Sequence, residues 1–223
     1  MPWLGYLHKI AVCETFVILD DVQFEKNSFI NRNYIMSHNG PILLTVPIKL
    51  KNHFDNKIYD IEISNDSNWR KKHLNSIYLN YKKSPFFKEH FTFFEDIYNT
   101  EWTKLIDINN RILNYLIAIF EIKTKVAFLS DLNVKGSKTE LIINICKKLN
   151  SNCFIFGING REYADIDFAK KNKINFLFQK FDSNSFHHQN LKSDKNLSSI
   201  DLIFNLKKSE LKKYLFSCGN ITN

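Results

Sequence analysis

The sequence has little of what would make the chain fibrous, flexible or disordered. Only 6 of its 223 residues are Gly and 4 are Pro, which excludes a collagen-like chain and a long linker. Hydrophobic residues make up 44% and aromatic residues 14%, so a substantial core can form and intrinsic disorder is excluded. No internal repeat is visible. We therefore predict a single α/β domain over residues 1–223.

Cysteine is also scarce, and long apolar runs are absent. The four cysteines are scattered and form no C-x-x-C pair, so neither a disulfide framework nor a zinc site is predicted; they are Cys13, Cys146, Cys153 and Cys218. The seven His residues form no metal-spaced set either. No apolar stretch reaches the roughly 18–20 residues that a membrane-spanning helix needs. These features predict reduced thiols, a cytoplasmic location and no membrane span.

Acidic residues are fewer than basic ones, 23 against 31, which gives a formal charge of +8. Such an excess favours anionic partners such as phosphates, nucleotides or nucleic acid. The basic pairs are dispersed over several predicted helices, which is typical of solvated faces rather than of a nucleic-acid stripe. A general bias of the sequence toward Lys, Asn and Ile is an alternative explanation of the charge.

The hydrophobic pattern predicts a mostly parallel, Rossmann-like sheet. Residues 15–19 form an apolar run without alternation, as in a strand buried on both faces. Strand and helix patterns then alternate through the second half, with strands at 126–129, 153–156 and 175–179. We also predict a helical insertion at about 67–120, a β-hairpin near 33–47, a strand at 58–63 and polar loops at 51–57 and 182–195. Asn39-Gly40 is the turn signal of the hairpin.

Polar residues follow several of these predicted strands, and the carboxyl ends of parallel strands share one sheet edge. Asp20 and Asp21 end the first run, where a carboxylate could hold a cation, an amine or a hydroxyl; a turn cap with a solvated neighbour is the alternative. The fork of donors on Arg32 suits phosphate or carboxylate, unless Arg32 is an ordinary surface residue.

Two more polar segments lie later in the chain. Residues 136–139 read Gly-Ser-Lys-Thr, which is not a P-loop because the earlier glycine is absent and the order differs from the required G-K-[ST]. Ser137 and Glu140 match a capping box, and the start of that helix could bind an anion. Gly157, Gly160 and Arg161 follow a buried strand, where glycines permit close approach of a ligand to the backbone.

Taken together, the motifs resemble the WbqC-like protein family from residue 2 to about 204. In chain order the matching stretches are Pro2-Trp3-x-Gly5-Tyr6, Phe16-Val17-Ile18-Leu19-Asp20-Asp21-Val22-Gln23-Phe24, Asn31-Arg32-Asn33, Leu44-Thr45-Val46-Pro47-Ile48-Lys49, Trp69-Arg70-Lys71-Lys72-His73, Ser137-Lys138-Thr139-Glu140, Gly157-x-x-Gly160-Arg161 and Asn196-Leu197-Ser198-x-Ile200-Asp201. The family usually opens with a short strand that runs into Gln-Pro ahead of the first motif. The resemblance therefore predicts that this first strand is missing here and that the sheet is incomplete.

The resemblance implies a bacterial enzyme of O-antigen (lipopolysaccharide) biosynthesis, a transferase that passes an acyl or aminoacyl group to a nucleotide-linked amino sugar. The expected partners are a phosphate-bearing small molecule such as a nucleotide sugar and an acyl or aminoacyl carrier. Cofactor and oligomeric state stay open. The predicted catalytic residues are Asp20, Asp21 and Gln23. The predicted substrate- or phosphate-binding residues are Tyr6, Arg32, Asn33, Ser137, Lys138, Thr139, Gly157, Gly160 and Arg161.

Two other functions are compatible with the sequence. One is a non-catalytic RNA- or carrier-binding module, in which the basic charge would serve an aminoacyl carrier. The other is a nucleotidylyltransferase-like nucleotide-binding enzyme, suggested by the opening Pro-Trp-x-Gly-Tyr ahead of a helix and a buried strand. That likeness is one of fold alone.

Overall fold

The computed structural model describes residues 1–49, 56–182 and 196–222. The helices in these ranges are α1 (Leu4–Ala11), α2 (Trp69–Tyr81), α3 (Phe87–Asn99), α4 (Leu105–Ile119), α5 (Leu129–Leu132), α6 (Lys138–Lys148), α7 (Ile166–Lys171), α8 (Ile200–Asn205) and α9 (Lys208–Ser217). The strands are β1 (Thr15–Ile18), β2 (Arg32–Ser37), β3 (Gly40–Thr45), β4 (Lys125–Phe128), β5 (Cys153–Phe156), β6 (Asn175–Phe181) and β7 (Gly219–Thr222).

The strands form three small sheets instead of one large Rossmann-like sheet. β1 pairs with β4 in parallel, β2 pairs with β3 in a hairpin, and β5 pairs in parallel with β6, which pairs antiparallel with β7. The mixed α/β class is confirmed, but the prediction of a large, mostly parallel sheet is wrong for the described residues. The physical reason is that no hydrogen-bonded ladder joins the β1–β4 pair to the β5–β6 pair there.

The predicted hairpin is confirmed, with its turn one residue earlier than the Asn-Gly signal indicates. Ser37 is opposite Gly40, so the loop consists of residues 38 and 39. Gly40 has a φ of +106°, a conformation that favours glycine, and the Ser37 hydroxyl donates to its carbonyl oxygen at 2.6 Å. Glycine therefore serves as the first residue of β3, just after the loop.

Two local predictions are wrong. Residues 58–60 form a 3₁₀ turn instead of a strand, and β-type pairing beyond it is limited to single bridges of Glu62 and Ile63. Ser137 stands at the start of α6 but makes no capping hydrogen bond, and Lys138 after it has a left-handed φ of 48°. That backbone departs from the geometry that a capping box requires. The predicted polar loops at 51–57 and 182–195 lie almost entirely outside the described residues.

Two hydrophobic clusters form the interior of the described chain. The larger is built on α2, α3 and α4, the helices that occupy the predicted insertion, together with α1, α8 and α9. Its largest fully buried side chains include Tyr81, Phe94 and Phe204. The smaller cluster packs α6 and α7 on β5 and β6 through residues such as Phe156 and Phe176. The cavity described next is lined by residues of α1, β1, β5 and α6.

Candidate functional site

A cavity of about 1170 Å³ is lined by residues of α1, β1, β2, α4, α6 and β5. Its size exceeds that of an ordinary small-molecule pocket, which is about 300–1,000 Å³. Apolar, aromatic and amide side chains line most of it. Its lining has an inner part between the strands β1 and β5 and an outer part around β2 and α4, and asparagines line both.

The inner part lies between two open strand edges. Every residue from 15 to 19 lines the cavity, and so does every residue from 153 to 155. Because successive strand side chains point to opposite faces, an unbroken run of lining residues means that the strand presents its edge and not one face. In the described residues, β1 and β5 therefore each have one edge that makes no ladder, and both of these edges face the cavity. The two strand pairs are separated by this slot.

Helix α1 presents one stripe of side chains to the cavity. Tyr6 and Lys9, three residues apart on α1, line it, and so does Cys13, two residues after the helix ends. Burial raises the pKa of the Tyr6 hydroxyl to about 12 and that of the Cys13 thiol to about 11, so both stay protonated at neutral pH. Burial lowers the pKa of Lys9, an effect that the Cys13 thiol partly opposes.

Lys9 also approaches the loop that follows β5. A Cβ atom built on Gly157 would lie 3.8 Å from Lys9 Nζ. In the described part of the chain, Lys9 is the cavity-lining residue that carries a positive charge. An ammonium group inside a cavity, next to a glycine backbone, is a suitable contact for a phosphate or carboxylate. The sequence pattern did not predict Lys9 as a site residue. The sequence signal that could have found it is its spacing from Tyr6 and Cys13, which line the same cavity.

The outer part, which we call the amide rim, consists of Asn33, Asn109, Asn110 and Asn196 with Tyr34. Asn33 is 5% exposed; its amide donates to the Met1 carbonyl at 2.7 Å and its Oδ1 accepts from the Tyr34 N–H at 2.8 Å. Asn109 donates to the Ile30 carbonyl at 2.9 Å. Neutral amides that both donate and accept are well suited to sugar hydroxyl and amide groups.

The two predicted aspartates have different partners. Both carboxylate oxygens of Asp20, which is 3% exposed, accept from Ser130: its N–H at 3.0 Å and its hydroxyl at 2.6 Å. Asp20 thus ties the end of β1 to the start of α5. Asp21 is half-buried and forms an ion pair with Lys57, and exposed Gln23 forms a backbone bridge with the same lysine. None of the three lines the cavity in the described residues.

Arg32 lies beside the amide rim without lining the large cavity. Its guanidinium donates to the backbone carbonyl of Asn27 and, at 3.3 Å, to Asn27 Oδ1. The same group lies 5.8 Å from the centre of the Phe29 ring. Arg32 and Asn33 are the first two residues of β2, so they point to opposite faces, and Asn33 is the one that reaches the cavity.

The later predicted residues lie away from the cavity lining. Ser137 and Lys138 are exposed at the start of α6, and Thr139 Oγ1 accepts a 3.4 Å bond from the Asp165 N–H. Arg161 is exposed, with its guanidinium 4.2 Å from the centre of the Phe178 ring and 3.3 Å from Thr222 Oγ1.

The structure thus brings Tyr6 and Asn33 to one cavity, with Gly157 close to its Lys9. The roles predicted for all the site residues stay predictions.

No group of three or more His, Cys, Asp or Glu residues in the described ranges could hold a metal ion. A helix with the length and apolarity to cross a membrane is likewise absent from those ranges.

Comparison with known proteins now defines the class. The model of the WbqC-like protein family matches residues 1–213, so this α/β chain belongs to that family. The chain is also similar to the uncharacterized protein Rv1507c of Mycobacterium tuberculosis, with 30% identity over 220 residues that cover 98% of this chain and 94% of that protein. No solved structure matches the chain. The family name loosely suggests a role related to O-antigen.

Proposed function

We propose that the protein is a transferase of bacterial surface-polysaccharide biosynthesis that passes an acyl or aminoacyl group to a nucleotide-linked amino sugar. The observation that carries the proposal is the amide rim, which sits on the same cavity as Lys9. The rim offers neutral donors and acceptors for a sugar, and Lys9 offers one positive charge for a phosphate. Membership in the WbqC-like family supports the pathway.

The proposed reaction forms one amide bond. The amino nitrogen of the sugar attacks the carbonyl carbon of the acyl donor, the bond from that carbon to the carrier breaks, and the carrier leaves with the electron pair. The amine proton passes to a base, for which Asp20 and Asp21 are the two sequence-based candidates. Tyr6 and Asn33 would position the sugar.

The test is direct titration with UDP-glucosamine, by calorimetry, of the unaltered protein and of two variants. Lys9→Met keeps the length of the side chain and removes its charge. We expect it to weaken binding about 10- to 100-fold, because a hydrogen bond to a charged group contributes about 1.5–3 kcal/mol. Lys148→Met is the matched control, since Lys148 is exposed on α6 and does not line the cavity.

A second variant addresses the amide rim. Asn110 lines the cavity from α4, and its half-buried side chain makes no hydrogen bond to another described residue. Asn110→Ala should therefore leave the melting temperature unchanged and weaken binding of UDP-glucosamine several-fold. If the unaltered protein binds no nucleotide sugar, or if Lys9→Met and Lys148→Met bind equally well, the proposed site is wrong.

A further inference from the structure

Phe29 is a large apolar side chain that is 61% exposed and lines the cavity next to the amide rim. A single exposed aromatic residue is ordinary when it sits on a mobile loop. Phe29 differs because the chain around it is attached to the rest of the molecule at several points. An aromatic face held in place beside a cavity is already arranged for contact with a ligand.

Three side chains fasten the segment that carries Phe29. Before it, the Arg32 guanidinium bonds to Asn27, which has a left-handed φ of 66°. After it, Asn109 donates to the Ile30 carbonyl and Asn31 donates to the Val46 carbonyl, both at 2.9 Å. The backbone on both sides of Phe29 is therefore fixed by side chains from β2, α4 and the segment itself.

The surroundings of Phe29 combine a second ring with a positive charge. The Tyr34 ring centre lies 6.0 Å from that of Phe29, with the planes tilted by 47°, and Tyr34 also lines the cavity. The Arg32 guanidinium carbon lies 5.8 Å from the Phe29 ring centre. Two aromatic side chains on the wall of a cavity suit a flat heteroaromatic ring.

We propose that Phe29 is a substrate-binding residue that stacks on the base of the nucleotide, with Tyr34 as its neighbour along the same wall. The proposal rests on the proposed function, since it assigns the base end of the same nucleotide-linked substrate. It places the base of that substrate at Phe29, beside the amide rim. Base stacking on an aromatic side chain contributes about 1–3 kcal/mol, so the contact is large enough to measure.

The experiment uses UDP and free glucosamine as separate probes, titrated by calorimetry into the unaltered protein and into Phe29→Ala. We expect Phe29→Ala to weaken UDP binding about 5- to 150-fold, which is the stacking contribution converted to an equilibrium constant. Binding of glucosamine, which has no base, should change less than twofold. Phe29→Trp should bind UDP at least as well as the unaltered protein, and its fluorescence should be quenched when the base stacks.

Leu79→Ala is the matched control, because Leu79 is 64% exposed on α2 and does not line the cavity. Since both side chains are exposed, the two alanine variants should keep the melting temperature of the unaltered protein. If UDP binds the unaltered protein and Phe29→Ala equally, Phe29 is not the stacking residue although the proposed function survives. If UDP does not bind the unaltered protein at all, the proposed function fails as well.

Discussion

Gly160, one of the predicted ligand-binding glycines, has a structural reason to be glycine. A Cβ atom built there would lie 2.3 Å from Cβ of Phe156, a β5 residue that is 3% exposed. Gly157 differs, since its Cβ would meet only Lys9 Nζ, at 3.8 Å, and its φ of −72° suits any residue. The glycines of one motif therefore have different roles, because only Gly160 packs against the backbone end of a buried side chain.

This difference predicts the effect of two alanine substitutions. Gly160→Ala should lower the free energy of unfolding by about 1–3 kcal/mol, because the added methyl overpacks the contact with Phe156. The melting temperature should fall by roughly 3–10 °C. Gly157→Ala should stay within about 0.5 kcal/mol of the unaltered protein. Thermal unfolding followed by circular dichroism measures both, and equal melting temperatures for the two variants would contradict the packing argument.

Asp201 is a buried carboxyl group on α8. It is 2% exposed, and the Tyr81 hydroxyl donates to its Oδ1 at 2.8 Å. Burial raises the pKa of Asp201 to about 7, from an ordinary value of 3.8, and the bond from Tyr81 opposes part of that shift. The group thus holds a proton in the folded protein over a pH range in which the unfolded chain has lost it.

The sign of the pH effect follows. A raised carboxyl pKa contributes stability that is fully present below about pH 4 and is lost as the pH rises to about 7. Asp201→Asn stays neutral and still accepts from Tyr81, so it should match the unaltered protein near pH 4. At pH 8 the free energy of unfolding of Asp201→Asn should exceed that of the unaltered protein by on the order of a few kcal/mol.

The measurement is the difference in free energy of unfolding between the two proteins, from urea titrations at a series of pH values. The difference is needed because burial also lowers the pKa of His73 to about 4, so its contribution to the free energy of unfolding is lost as the pH falls. His73 is unchanged in both proteins, so its effect cancels. A difference that does not vary between pH 4 and pH 8 would show that Asp201 is ionised when folded.

At the scale of elements, local sequence signals were most successful where the element depends on its own residues. The first apolar run is a strand at Thr15–Ile18, and the hairpin is present, with Gly40 in a positive-φ conformation just after its loop. The helices α2, α3 and α4 lie within the predicted insertion. Their apolar spacing is visible along the chain, as in α4, where Leu105, Ile108, Ile112 and Leu116 are all buried.

Local sequence patterns predicted the wrong conformation in two places. Residues 58–63 alternate like a strand, yet Ile58 and Tyr59 donate their N–H groups to the carbonyls of Val22 and Asp20, which draws the segment into a turn. The capping pattern at Ser137 makes no capping bond, while Asp165, which the pattern did not single out, caps α7 by accepting from the Phe168 N–H at 2.9 Å. At residues 58–60, tertiary contacts override the local preference.

At the scale of the whole molecule, the slot between β1 and β5 is the dominant feature. The chain connects β4 to β5 through α5 and α6, and such a strand–helix–strand connection places its strands parallel when they share a sheet. In the described residues both edges have backbone groups that make no ladder, and the slot between them is mostly apolar. We expect the slot to accept one further parallel strand.

The test is to add a synthetic peptide of five alternating Val and Ile residues, flanked by lysines for solubility. A strand that pairs with both edges should bind and raise the melting temperature by several degrees at saturating peptide, through ligand linkage. The control peptide has Pro at its central position, which removes one N–H and blocks the ladder. If both peptides give the same shift, the slot does not act as a strand acceptor.

The sequence by itself determined the family, the mixed α/β class, the hairpin and several candidate residues, because motifs and hydrophobic periods are written in neighbouring positions. Only the tertiary structure decided which candidates meet. It brought Tyr6 and Asn33 to one cavity, tied Asp20 to Ser130, and added Lys9, which lies near Gly157, far away in the chain. It also separated the two strand pairs, because pairing between strands depends on edges that meet in space and that no local pattern can specify.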